Sequence, residues 1–280
     1  DEMLAFYKIN KAKNWNEFKD GVKYFGIPGQ NFVYADAQGN IGYVMGARIP
    51  IRNSNNPTLV FDGTTSENDW KGFVPPQEIP TILNPAENFI ASANNKTLKD
   101  FKYHISNLWE PSSRIDRIRE LLTYKEKHSP DDFKNYQMDN NSPYARKIVP
   151  YLINSFEGIK VKDKNLNISL ELFRKWNFEM DKYSQTPAIY SVFLKYLLKN
   201  IYYDEMGDDL YNRFVFLANV PYRSLLQILE KPESVWFDDI KTSKKEKREE
   251  ILRKSCLLYT SDAADERSSE DLGGRRIIKK

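Results

Sequence analysis

Asn94 and Asn95 are two consecutive carboxamides that follow the short apolar run Phe89-Ile90-Ala91. Such a run fits a buried strand, which would deliver both amides to its end, where polar side chains can face a cleft. Asn also tolerates left-handed backbone angles, so the pair fits a turn as well, and on the pair alone the turn is the commoner reading. Other chemistry-bearing residues are sparse. Cys256 is the only cysteine, which excludes disulfides and a cysteine metal cluster. His104 and His128 are the only histidines, and two isolated histidines are far more often surface residues than ligands.

The elements that must position these residues fall into two parts. In 280 residues, 40% hydrophobic and 14% aromatic, there is ample material for a core. The first part is strand-rich. Asn14-Trp15-Asn16-Glu17-Phe18 opens an amphipathic helix, with Asn14 or Asn16 as cap and Trp15, Phe18, Val22 and Phe25 at helical spacing, ending near Gly26. Residues 31–36 and 41–47 then predict two strands about the Gly-containing turn Ala37-Gln38-Gly39-Asn40. Six prolines between Pro50 and Pro85 punctuate a loop-heavy stretch, with Leu59-Val60-Phe61 as a candidate strand and Asp69-Trp70-Lys71-Gly72 as a packed corner.

From Pro111 the period becomes helical. Ser113 followed by Asp116 resembles a capping box, which puts Arg114 at the first position of a helix with Ile115, Ile118, Leu121 and Leu122 on one face. Ser129-Pro130-Asp131-Asp132 and Ser142-Pro143 are further helix starts. Helices are predicted about 166–180, 188–203, 208–219, 222–229 and 243–254.

Charge and hydropathy limit the partners. Lys+Arg of 42 against Asp+Glu of 39 leaves +3 with the signs interspersed, so no nucleic-acid partner is indicated. No run approaches the ~18 apolar residues of a membrane span, and no signal peptide opens the chain. Asp1 in place of an initiator Met gives the expectation that the chain is internal to a longer protein. At the other end, residues 256–266 resemble the translation of a transposon-end sequencing adapter, and 271–280 resemble its distal part running into an A-rich end. Residues 256–280 are accordingly expected to be read-through rather than native protein, and Cys256 with them.

Nine short motifs occur in one order: Tyr34-Ala35-Asp36, Gly39-Asn40-Ile41-Gly42-Tyr43, Pro50-x-Arg52, Trp70-x-Gly72, Asn84-Pro85, Ser92-Ala93-Asn94-Asn95, Arg114-x-x-Arg117-Ile118, Gln137-x-Asp139 and Ser234-x-Trp236-Phe237-Asp238-Asp239. The series resembles the penicillin acylase family of N-terminal-nucleophile hydrolases, which includes acyl-homoserine lactone acylases, over nearly all of residues 1–255. The resemblance implies an α+β fold: part of an αββα core in 1–109, a helical region of the same large (beta) subunit in 110–255, and a small (alpha) subunit cut from the same precursor.

It also implies roles. Asn94 falls where the family places a side-chain amide in the oxyanion hole, a donor preorganised for the charge that acyl transfer puts on the carbonyl oxygen. Arg114 falls where an arginine lines the site, and a cation in a helix's first turn opposes the dipole, which is tolerated more readily where it serves a site. Gln30, with Asn31 beside it, falls at an acyl-pocket position. The nucleophilic Ser, its α-amino base and the backbone oxyanion donor fall upstream of Asp1, so this chain alone is expected to be inactive. The family's calcium site, where present, draws most ligands from upstream, and Tyr103-His104-Ile105-Ser106 stands where a carboxylate is expected, so neither metal nor other cofactor is expected here. The implied substrate is a small acyl amide, and the implied location is periplasmic or secreted. The competing expectation is a catalytically dead relative serving as an envelope binding or structural protein.

Overall fold

The computed structural model describes residues 2–53, 58–98, 100–217 and 219–257. The chain divides into two compact units, Asp1–Trp109 and Glu110–Lys280.

In the first unit, α1 (Glu2–Lys11) and α2 (Trp15–Val22) pack on each other and precede a three-stranded antiparallel sheet of β1 (Gln30–Ala35), β2 (Ile41–Gly46) and β3 (Thr81–Leu83), in the order β1-β2-β3. Of the two cap candidates, Asn14 and Asn16, it is Asn14 that caps α2, its side chain accepting from the Glu17 N–H. The hairpin also forms as expected, with Phe32 opposite Val44 and Val33 opposite Tyr43. Alternation along the strands gives the sheet two apolar faces. Val44, Phe32 and Tyr34 meet Phe18, Val22 and Trp15 of α2, while Tyr43 and Met45 meet Ile49, Val74 and Ile90.

Three details differ from expectation. Phe89-Ile90-Ala91 forms no strand, because it follows the turn 86–88 and its backbone joins no ladder. Leu59-Val60-Phe61 is likewise irregular, with Val60 fully exposed. The third strand is Thr81–Leu83 instead, pinned where Asn84 N–H donates to the Ile41 carbonyl (2.8 Å) and Asn84 Oδ1 accepts from Ile41 N–H (3.0 Å). Helix α1 has no counterpart among the elements expected from the sequence; Ala5 is buried, Phe6 stacks edge-on against Phe25, and the Glu2 carboxylate accepts from Gly26 and Ile27 N–H.

The second unit is helical: α3 (Ser113–Thr123), α4 (Pro130–Gln137), α5 (Pro143–Ser155), α6 (Lys164–Lys175), α7 (Gln185–Phe216), α8 (Asn219–Leu229) and α9 (248–257). Its core is one cluster built from α5 through α9, with Ile148, Leu152, Phe193, Leu197, Ile201 and Leu225 fully buried. Helix α4 begins with a reciprocal capping box between Ser129 and Asp132, and Ser142 Oγ accepts from Ala145 N–H at the start of α5. The span written as α7 holds the two helices expected at 188–203 and 208–219, separated by a kink at Gly207, whose φ of 66° and ψ of −179° are not helical and which only a residue without Cβ adopts readily. At α3 the cap position is Ser112, not Ser113, so Arg114 is the second helical residue; Ser112 Oγ donates to the Asp116 side chain rather than accepting from a backbone N–H. The break expected after Ser255 is absent. Helix α9 runs through Cys256, which is buried in the main core, and Leu257; residues 258–280 lie outside the described residues.

Candidate active site

The sequence-predicted residues fall in both units: Gln30, Asn31 and Asn94 in the first, Arg114 in the second. Asn94 sits in a turn with φ of 58° and an exposed side chain, so its backbone adopts the left-handed conformation that Asn tolerates. The turn is held from both sides. Ala93 is buried and its N–H donates to Asn95 Oδ1 at 3.0 Å. Ser92 Oγ accepts from Asn31 Nδ2 at 3.0 Å, and Asn31 Oδ1 accepts from Tyr43 Oη at 2.7 Å. Burial pushes the Tyr43 phenol above its ordinary pKa, so it stays a neutral donor. Asn31 and Gln30 are themselves exposed at the start of β1. The structure thus brings Asn31 to the Ser92–Asn95 turn, and adds Tyr43 and Ser92, whose part the sequence did not signal beyond their place in the ordered motifs.

In the second unit Arg114 is exposed and borders a cavity of about 310 Å³ with Arg117, Tyr136, Asp139, Asn140 and Asn141. Arg117 forks onto Asp139, Nε to Oδ1 at 2.8 Å and Nη2 to Oδ2 at 2.6 Å. That fork holds the Asp139 carboxyl below its ordinary range and the guanidinium above its own.

Most of the ordered motifs pair with one another instead of facing a cleft. Asp36 accepts from Tyr34 Oη and from the backbone and side chain of Asn40, and Asn40 Oδ1 accepts from Asn84 Nδ2. Ile51 and Lys71–Gly72 exchange backbone hydrogen bonds of 2.9 Å, with the Arg52 guanidinium over the Trp70 ring. Asp238 accepts from Glu246 N–H, Asp239 pairs with Lys254, and Phe237 is fully buried. These motifs build the frame.

The histidines are half-buried rather than on the surface. His128 lies between Tyr136 Oη (2.9 Å) and the Leu122 carbonyl (3.0 Å), and burial lowers the His104 pKa. Among the described residues no three His, Cys, Asp or Glu side chains converge as metal ligands would. A second cavity, about 510 Å³, lies between α2 and the 73–79 loop, lined by Val22, Phe25, Met45, Arg48 and Phe73 but by none of the candidate residues.

The mixed helical and small-sheet structure of the chain matches the penicillin acylase fold. A thermostable penicillin G acylase from Alcaligenes faecalis shares it with a TM-score of 0.75 at 19% identity, over 95% of this chain and 52% of that one. The family model described as penicillin amidase matches residues 1–276, and the chain belongs to that family. Among curated relatives, an acyl-homoserine lactone acylase QuiP of Pseudomonas fluorescens is 26% identical over 97% of this chain and 34% of its own length. Penicillin G acylase of Escherichia coli is 32% identical over 62% of this chain and 21% of its own. The chain spans about a third or less of the length of these relatives.

Proposed function

We propose that the chain is part of the large subunit of an amidohydrolase that cleaves acyl amides of the penicillin or acyl-homoserine lactone type. The acyl-enzyme forms on an N-terminal Ser contributed from outside residues 1–280, and these residues alone turn over no substrate. Asn94 is the side-chain donor to the oxyanion, Arg114 lines the site, and Gln30 and Asn31 border the acyl chain. The small subunit of the same precursor is the partner, and the protein is periplasmic or secreted. The observation that carries this reading is the Asn31–Ser92 hydrogen bond. It seats the Asn94 turn on the sheet while leaving the Asn94 amide exposed, as a preorganised donor must be.

The test uses the complete, self-processed protein with Asn94→Gly, which accepts the positive φ without strain but removes the amide. Loss of one such donor lowers kcat by roughly 10²–10³, or ~3 kcal/mol. A processed, folded variant with near-normal kcat returns Asn94 to a turn residue. Retained processing with no acyl-amide turnover in the parent itself supports the binding protein instead.

A further inference from the structure

We infer that Arg117, forked onto Asp139, is a positioning residue for Arg114. The inference rests on the proposal that Arg114 lines the acyl-transfer site, and it concerns how that guanidinium is held. Helix α3 fully buries one side chain, Ile115, and leaves Ile118, Leu121 and Leu122 of its apolar face only part-buried, so packing fixes its roll less firmly than that of a helix seated on a core. A ladder of ion pairs adds to that packing. Asp116 receives Lys147 at 2.7 Å, Glu120 receives Arg146 with one oxygen and Arg117 with the other, and Arg117 forks onto Asp139.

These rungs differ in what they can fix. The side chains of Arg146 and Glu120 are 42% and 39% exposed and those of Lys147 and Asp116 46% and 36%, whereas Arg117 and Asp139 are 26% and 19% exposed. Exposed pairs with single contacts are screened and constrain little. A bidentate guanidinium–carboxylate pair fixes orientation in a plane, which a point charge does not. Asp139 is itself anchored: its Oδ1 accepts from Asn141 N–H, and Asn141 Nδ2 donates to the Asn177 carbonyl, tying the α4–α5 connection to the chain after α6. The fork therefore references α3 to a fixed point of the helical unit.

Arg114 and Arg117 are three residues apart, so they share a face of α3, and both border the same cavity with Asp139. Rotation of α3 about its axis would carry the Arg114 guanidinium along that wall. Breaking the fork leaves Arg114 chemically intact and misplaced, and misplacement of a group by about 1 Å can cost 10²-fold in rate.

The experiment measures kcat and KM of the complete, self-processed enzyme on an acyl amide for Arg114→Gln, Arg117→Gln, Arg117→Lys and the double Gln variant, together with melting temperatures. Arg117→Gln and Arg117→Lys are both expected to lower kcat roughly 10- to 100-fold. The double variant is expected to be no slower than Arg114→Gln, because Arg117 acts only through Arg114. Normal kcat in folded Arg117→Lys or Arg117→Gln overturns the inference, as does a double variant that loses the product of the two single effects. A change in melting temperature with unchanged kcat identifies a purely structural pair. If Arg117→Gln does not fold, Arg117→Lys and Asp139→Asn carry the same decision. Unchanged kcat/KM in Arg114→Gln, with Arg117→Gln impaired, instead removes Arg114 from the site and overturns both readings.

Discussion

Asn31 Nδ2 and Ser92 Oγ lie 3.0 Å apart although 61 residues separate them in the chain. With Tyr43 Oη donating to Asn31 Oδ1, one exposed carboxamide connects a buried phenol of β2 to the turn that presents Asn94. Asn31→Ala removes both bonds and is expected to lower stability by about 1–3 kcal/mol, since Tyr43 loses an acceptor at a desolvated position. Asn31→Asp keeps that acceptor and lets the Ser92 hydroxyl turn donor, so it should cost less than half as much. Thermal melts of the three proteins decide it. Equal losses for Ala and Asp would show that the amide donor, not the acceptor, sustains the link.

A close approach explains one glycine of β2. A Cβ on Gly46 would stand 2.4 Å from Phe32 Cε2 and 2.7 Å from its Cδ2, with Val22 at 3.2 Å on the same side. Phe32 itself stacks edge-on against Phe25, so the ring has little room to retreat. Gly46→Ala is expected to destabilise the first unit by ~1–3 kcal/mol through overpacking. A urea midpoint equal to that of the parent would show that the ring moves freely.

Legibility followed the range of the interactions. The hairpin and the Ser129 and Ser142 helix starts rest on local turn and cap chemistry, so their sequence signatures were sufficient, whereas the α2 cap was open between Asn14 and Asn16 until the Asn14–Glu17 bond decided it. Strand β3 has only Thr81, Ile82 and Leu83, all exposed, and exists because β2 offers an edge; no local pattern announces that. Phe89-Ile90-Ala91 has strand composition, but packing of Ile90 against the Tyr43 cluster satisfies it without a ladder. The ordered motifs identified the family, yet their residues mostly bind one another, as Asp36 binds Asn40 and Arg117 binds Asp139. Order alone could not separate frame from site. Ser112 takes the cap position in place of Ser113, its hydroxyl donating to Asp116 four residues on and accepting from Lys147 Nζ, which lies 35 positions away and outside any local box.

The Arg117–Asp139 fork has a pH signature. Asp139 is held below its ordinary 3.8 first by the Arg117 fork and then by the Asn141 N–H. A depressed carboxyl binds protons more tightly in the unfolded chain, so its stabilisation is present above about 3.8 and lost as pH falls through the lower folded value. Asp139→Asn should therefore be less stable than the parent at neutral pH, with the gap closing below pH ~3.8. Urea unfolding at pH 7 and pH 3 checks this. A gap of the same size at both values would assign the loss to packing and not to charge.

The last prediction concerns Cys256, where the expected adapter read-through meets the folded core. Residue 256 is fully buried in the cluster with Ile251 and Leu252, and Ser255 beside it accepts from Asn200 Nδ2 at 2.9 Å while donating to the Ile251 carbonyl. Burial pushes the thiol up to about 12, so at pH 8 only about one molecule in 10⁴ carries the reactive thiolate even before access is counted. The native thiol should therefore ignore a disulfide reagent until the helical unit opens, and react at once in urea. Relative to a chain ending after Leu257, ending it after Ser255 deletes the buried Cys256 side chain and the last two described residues of α9, which should lower the melting temperature of the second unit. If long-read sequencing of the locus replaces residues 256–280, the genuine residue at 256 should be small and apolar, since a charged or large side chain there would strain the core. A native thiol that reacts as fast as the unfolded one, or a chain ending at Ser255 as stable as one ending at Leu257, would show that α9 does not extend into the core through residue 256.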